Sequence, residues 1–428
     1  MHALKKRRYH GLEWLRFLMA LWMVAYHFGG IYSDMPDLLR SVIGMGFFAT
    51  STFFMLSGFL LAHVALDDTG GMKMGGPAFV ARRLCNLYPI HVITLLLALG
   101  LLLFQYPIRP EGVHVYFNSH PYLPLSDEAR AAFAGRISWS SALGHIALQL
   151  TLLQAWEPRF LWLNGASWSI SALLFFYACF PLLAPRLMRL QRWGLALLVV
   201  WGLYAAGPLV ATLSGAFDYV TVGMLHRNPL FRLPEFLTGI LLYRALQTAG
   251  LAELLRRLRY PLLALGLCGV PVGVWLLKLD GLHLYYLTHN GLLLPFQALV
   301  LLSATAFASP ASAANRARLQ HLGEAALCIF ALHTPLIGPF ARATRWLLLR
   351  WHEGWVAASG NAALKFAIPL WTMAIHLTLI VVLALIMQRY VVKPLRGWLE
   401  RRLPAAWQPQ PRPGAGDQPT ALRQVALS

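Results

Sequence analysis

The chain has 428 residues, 58% of them hydrophobic and only 12% charged, with a mean hydropathy of +0.56 and a net charge of +19. Soluble domains carry about 25% charged residues, so a soluble enzyme is excluded. The surplus Lys and Arg lies in short clusters between apolar runs, which is a membrane-topology signal and not a nucleic-acid-binding surface. The runs lack the two-residue alternation of a membrane barrel, which leaves an all-α polytopic membrane protein.

In chain order, Lys5, Lys6, Arg7 and Arg8 precede a run too long for the apolar part of a signal peptide, with no small-residue cleavage site. Residues 1–11 therefore read as a basic cytoplasmic N-terminus. Apolar runs follow near 12–32, 42–66, 84–106, 140–156, 166–185, 194–214, 229–247, 260–279, 291–308, 321–341 and 362–390. Each approaches the ~20 residues needed to cross a ~30 Å hydrocarbon core.

Charge decides which of them span. If 140–156 crossed, Arg186/Arg189/Arg192, Arg256/Arg257/Arg259, Arg316/Arg318 and Lys393/Arg396/Arg401/Arg402 would all face outward, against the positive-inside rule. That run is short and holds His145, Gln149 and Gln154, so it reads as a non-spanning outer segment. About ten transmembrane helices remain, with both termini cytoplasmic. The tail 404–428, rich in Pro, Gln, Ala and Gly, reads as disordered. Cys85, Cys179, Cys268 and Cys328 lie in or beside apolar runs without metal-ligand spacing and read as reduced.

Polar residues inside the runs are the functional signal. The first run carries Glu13, Arg16 and His27. Arg16 and His27 are eleven positions apart, about 20° in projection, and so share a face with Glu13. Arg16 lies toward the cytoplasm and His27 about 16 Å farther out. Glu13 and Arg16 fit an interfacial ion pair or a functional charge; His27 has a suitable chemistry for a general base near neutral pH. Ser57-Gly58 marks close helix packing. Arg82 and Arg83 enter the third span from the cytoplasm, either as topology anchors or as a phosphate site. Trp168, Ser169 and Ser171 open the fourth span at its outer end. Arg232 and Glu235, spaced i, i+3, open the sixth as a structural pair or a sugar-binding pair. His333 lies about 18 Å into the ninth.

Taken in order, LRFLMALWMVAYHF, FFMLSGFLL, RRLCNLYP, WSIS…FYACFPLL, RLPEFLTG, LGEAALCIFALHTPL and KPLRGWL resemble the acyltransferase family 3, integral membrane enzymes that O-acylate glycans, lipids and secondary metabolites. The resemblance runs from Leu12 to Leu399, which makes 12–399 the membrane domain. It implies that Arg16 and His27 are the essential arginine and histidine of the first span, and that Arg82 and Arg83 handle an acyl-CoA donor. Four positions depart from the family pattern. Asn86 stands where a further arginine is usual, Leu173 and Leu174 where a fourth-span glutamate is usual, Ala326-Leu327 where a Ser-Tyr pair is usual, and Val392 where an acidic residue is usual.

The resulting expectation is an acyltransferase of a bacterial inner membrane. It moves an acyl group, most simply acetyl, from cytoplasmic acyl-CoA to a hydroxyl of an envelope glycan, lipid-linked sugar or lipophilic metabolite. Acyl-CoA is co-substrate, with no bound cofactor, metal or nucleic acid. His27 and Arg16 are the catalytic candidates; Arg82, Arg83 and Arg16 bind the donor; Trp168, Ser169, Ser171, Arg232, Glu235 and His333 form the acceptor cavity. A transporter or flippase for a polar envelope precursor is the competing class.

Overall fold

The computed structural model describes residues 9–105, 112–126, 134–359 and 368–408. The basic N-terminus through Arg8, the acidic loop residues Glu111, Asp127 and Glu128, and the tail beyond Gln408 lie outside the described residues. The first helices are α1 (His10–Phe28), α2 (Asp37–Gly44), α3 (Gly46–Ala65) and α4 (Gly76–Gln105). Helix α5 (Trp139–Leu150) lies between three short strands, β1 (Val113–Phe117), β2 (Ala134–Ile137) and β3 (Phe160–Leu161). The chain continues through α6 (Trp168–Met188), α7 (Trp193–Leu213), α8 (Tyr219–Arg227), α9 (Pro229–Ala245), α10 (Leu251–Leu267), α11 (Gly269–Leu287) and α12 (Leu294–Ala306). Helices α13 (Ala313–Ser359), α14 (Thr372–Met387) and α15 (Lys393–Arg402) complete it. The protein is an all-α, multi-pass membrane protein.

A helix lies on each of the ten runs assigned as spans. Among the described residues seven segments are long and apolar enough by themselves, and one of them, Leu251–Ala306, holds two of the runs. Its chain breaks at Asp280 and again at Asn290–Gly291, and α12 then folds back along α10. Gly291 takes φ +107°, the left-handed region open to glycine, and Trp201 Nε1 donates to its carbonyl at 2.8 Å. The two runs outside those seven segments are α1 and α9, the helices that carry charge into the membrane. Both are closely held, α9 against α3 and α1 against α13.

Lipid offers helices no hydrophobic incentive to associate, so close backbone packing carries the contact. Glycine supplies it between α3 and α9. A Cβ at Gly58 would sit 2.0 Å from the Phe236 carbonyl oxygen, and one at Gly239 would sit 1.9 Å from that of Met55. Any side chain at either position forces the helices apart.

The outer segment is built differently from the spans. Helix α5 has 12 residues, about 18 Å at 1.5 Å per residue, too short to cross. The strands form an antiparallel sheet in the order β2-β1-β3, and Val113, Val115, Ala142, Phe160 and Trp162 make a separate apolar core beneath it. This sheet is not visible in the composition of the loop. Its base is pinned to the spans: His91 of α4 bonds the Gln149 carbonyl at 2.7 Å, and Tyr88 donates to that of Leu150.

Candidate active site

His27 ends α1 and meets His333 of α13, their rings 4.8 Å apart. His27 Nδ1 lies 2.9 Å from the Met23 carbonyl and 3.1 Å from His333 Nε2. A carbonyl only accepts, so Nδ1 carries the proton, His333 Nε2 accepts, and the lone pair of His27 sits on Nε2. Thr334 Oγ1 donates to the same His333 nitrogen at 3.2 Å. His333 is fully buried and His27 partly so. Two histidines far apart in sequence thus form one unit, held by the α1–α13 contact.

Arg16 lies eleven residues back along α1. Its Nη1 is 3.4 Å from Glu13 Oε2 and 3.5 Å from the Gly323 carbonyl of α13. Gly323 makes room for this pair: a Cβ there would fall 2.0 Å from Glu13 Oε2. Glu13 therefore holds Arg16 against α13, with both side chains about a quarter exposed.

At one end of the bundle α1, α4 and α15 bring cationic groups together, beside Tyr177 of α6. Arg83 lies over the Phe79 ring at 5.2 Å, and the charges of Arg82, Arg16 and Arg396 all reach it, as does the Tyr177 phenol. Arg82 Nη1 is 3.8 Å from Met74 Sδ. Among the described residues no carboxylate lies within ion-pair distance of Arg82 or Arg83. Asn86, on the same face, accepts from Arg396 Nη1 at 3.2 Å.

Farther out, Arg232 and Glu235 are wholly buried, with Arg232 Nη2 to Glu235 Oε1 at 2.9 Å. Arg232 also donates to Asn290 Oδ1 at 2.6 Å and Ser51 Oγ at 3.2 Å, and Tyr204 donates to Glu235 at 2.5 Å. The guanidinium is boxed by the rings of Phe54, Trp168 and Tyr204, 5.8 to 6.0 Å away. One Arg232 nitrogen, Nε, and one Glu235 oxygen, Oε2, are buried without a hydrogen-bond partner among the described residues.

From this core a second histidine pair leads toward the first. His289 Nδ1 is 3.3 Å from Asn290 Oδ1, and His289 Nε2 is 3.3 Å from His226 Nδ1. His226 lies on the non-spanning helix α8, its ring 5.1 Å from Trp168. Burial, then the fields of His289, Arg227, Arg232 and His27, hold its imidazole neutral and well below the usual histidine range.

Ser169 and Ser171 are spent on the backbone. Ser169 donates to the Ala166 carbonyl at 3.0 Å, and Ser171 donates to that of Leu152 at 2.5 Å while accepting from Ala155 N. Ser171 thereby ties α6 to the segment after α5. Trp168 faces the Arg232 core. The residues that sequence reasoning missed are Tyr204, His226, His289, Asn290, Tyr177 and Arg396. The stretch Thr288-His289-Asn290-Gly291, polar and glycine-bearing at the entry to an apolar run, was the signal available for two of them.

A family model, the Acyltransferase domain numbered 3, matches residues 9–389. The chain belongs to the acyltransferase 3 family. It is also similar to "Acyltransferase MdmB" of Streptomyces mycarofaciens, at 28% identity over 258 residues, 56% of this chain and 58% of that protein. The chain thus spans a little over half the length of that curated relative. No solved structure matches. In this acyltransferase 3 chain α6 carries no carboxylate, Leu173 is buried in the core, and the guanidinium over Trp168, Arg232, is paired with Glu235 of α9.

Proposed function

We propose that the protein is an O-acyltransferase that takes an acyl group, most simply acetyl, from cytoplasmic acyl-CoA and esterifies a hydroxyl arriving from the outer side of a bacterial inner membrane. The observation that carries this is one helix with two chemistries. At its inner end Arg16 joins Arg82 and Arg83, guanidiniums suited to phosphates. At its outer end His27 presents an unprotonated Nε2, backed by His333. The rise of α1 separates the two by about 16 Å, a distance that the extended pantetheine arm of a coenzyme A suits. This reading puts both termini in the cytoplasm.

Donor phosphates bind at the cytoplasmic arginines and the thioester reaches up beside α1. His27 Nε2 takes the proton from the acceptor hydroxyl, and the oxygen attacks the thioester carbonyl. The tetrahedral adduct collapses, the C–S bond breaks, and the imidazolium returns the proton to the thiolate, giving ester and coenzyme A. His333 accepts from Nδ1–H of His27 and so keeps the lone pair on Nε2 in every cycle. On the acceptor side, envelope glycan, lipid-linked sugar or a lipophilic metabolite, Trp168 and the neutral His226–His289 pair line the space. Arg232 and Glu235 hold that wall and neutralise each other.

The test is mass spectrometry of envelope glycans, lipids and pigments from a deletion strain carrying wild type or His27→Ala. An acyl mass lost in the deletion, restored by wild type and not by the variant, is expected. Restoration by His27→Ala overturns the reading.

A further inference from the structure

The basic C-terminal helix α15 begins at Lys393 and ends at Arg402. An amphipathic helix at this place ordinarily lies on the headgroups. Here it and the turn that follows it, Ala405–Trp407, pack against α4. One side chain makes the polar link: Arg396 donates from Nη1 to Asn86 Oδ1 at 3.2 Å and from Nε to Glu400 Oε1 at 2.9 Å. Two of its five N–H donors are therefore used within the protein. Its charge reaches Arg83 and the Cys85 thiol, three and one residues from Asn86 in sequence.

We infer that Arg396 is a fourth guanidinium of the donor site, binding a phosphate of coenzyme A together with Arg16, Arg82 and Arg83; the inference rests on acyl-CoA being the donor. The charge balance motivates it. Four guanidiniums meet two carboxylates, Glu13 and Glu400, and both carboxylates point back along their own helices at i−3 or i+4. The remaining positive charge lies at a partly buried mouth, where it repels itself unless an anion binds. Coenzyme A supplies a diphosphate and a 3′-phosphate, and a phosphomonoester alone carries about −1.5 to −2 charges at neutral pH. Docked on α4, Arg396 places its charge on the face of Arg83, so the C-terminal helix becomes a wall of the donor site.

Calorimetric titration of coenzyme A onto the full chain, in nanodiscs of phosphatidylcholine alone, tests this. Arg396→Ala is expected to weaken coenzyme A binding about tenfold, the effect of one charge-assisted phosphate contact. Asn86→Ala, which keeps the cation and removes only its anchor, should cost less than about threefold, well under one such bond. Equal losses for the two variants mean that helix docking alone matters, and overturn the inference. So does an unchanged affinity of Arg396→Ala, or a difference seen only when phosphatidylglycerol is present, which marks a lipid-headgroup contact. If wild type binds no coenzyme A, the donor reading falls with it. If Arg82→Ala and Arg83→Ala lose binding while Arg396→Ala keeps it, only Arg396 is misassigned.

Discussion

Helices α1 and α9 each carry an Arg–Glu pair at i, i+3 into the membrane, and the two pairs do opposite things. On α9, Arg232 and Glu235 are 2.9 Å apart, fully buried, and supported by Tyr204, Asn290 and Ser51. On α1, Glu13 and Arg16 are 3.4 Å apart, about a quarter exposed, and share one long contact with the Gly323 carbonyl. A buried pair with nearly all its bonds made has little left for a ligand, whereas a loose pair at a mouth keeps donors to spare. Under the proposed function, the same spacing serves a structural core on one helix and the donor site on the other. Environment, and not the motif, separates them.

Four substitutions and one titration can break or sharpen this contrast. The largest effect belongs to the outer end of α1. His27→Ala should cut turnover by about 10²–10⁴-fold, the range of a lost general base, with the thermal midpoint close to wild type; turnover is read by product mass. On α9, Arg232→Leu leaves Glu235 buried alone and should destabilise by about 3–5 kcal/mol, while the double change with Glu235→Leu recovers most of it; unfolding in detergent measures both. Gly239→Ala sets a Cβ against the Met55 carbonyl and should cost about 1–3 kcal/mol by prising α3 from α9, read by the same unfolding curves.

Arg16→Ala is the counterpart of Arg232→Leu. Its stability cost should stay below about 1 kcal/mol, while coenzyme A affinity falls. A stability loss as large as that of Arg232→Leu would erase the distinction between the two pairs. The smallest effect lies outside the spans. His120 is packed among Phe217, Tyr285 and Tyr286 with ring centroids 4.9 to 5.1 Å away, and burial holds its imidazole down to about 4. The unfolded value is about 6.5, so between these values the unfolded chain binds more protons. The stability contributed by neutral His120 is full above pH 6.5 and is lost as the pH falls toward 4. Amide exchange in residues 113–126 should quicken over that window in wild type and not in His120→Phe.

Much of this molecule was legible from composition and spacing. The lipid core admits only helices with internal backbone bonds, so the runs marked the spans. The positive-inside bias singled out 140–156, and α5 there is too short to cross. The 3.6-residue turn put Arg16 and His27 on one face, because that relation lies within a single helix. The resemblance brought together segments that no local rule joins. The small sheet escaped because its strands are two to five residues long and take their order from pairing between distant segments, Val113–Phe117 with Ala134–Ile137 and with Phe160–Leu161.

What the chain determined by itself is therefore what acts along one element: which segments enter the membrane, and which polar groups ride on one helical face. What only the tertiary structure decided is what acts between elements. His333 meets His27, Asn290 and Tyr204 brace the Arg232 pair, and Arg396 reaches Asn86 across 310 residues. A carboxylate 3 residues from an arginine looks the same in sequence whether it is solvated or sealed. Only the packing of neighbouring helices sets the local water content, and with it whether a charge is spent on the fold or kept for a substrate.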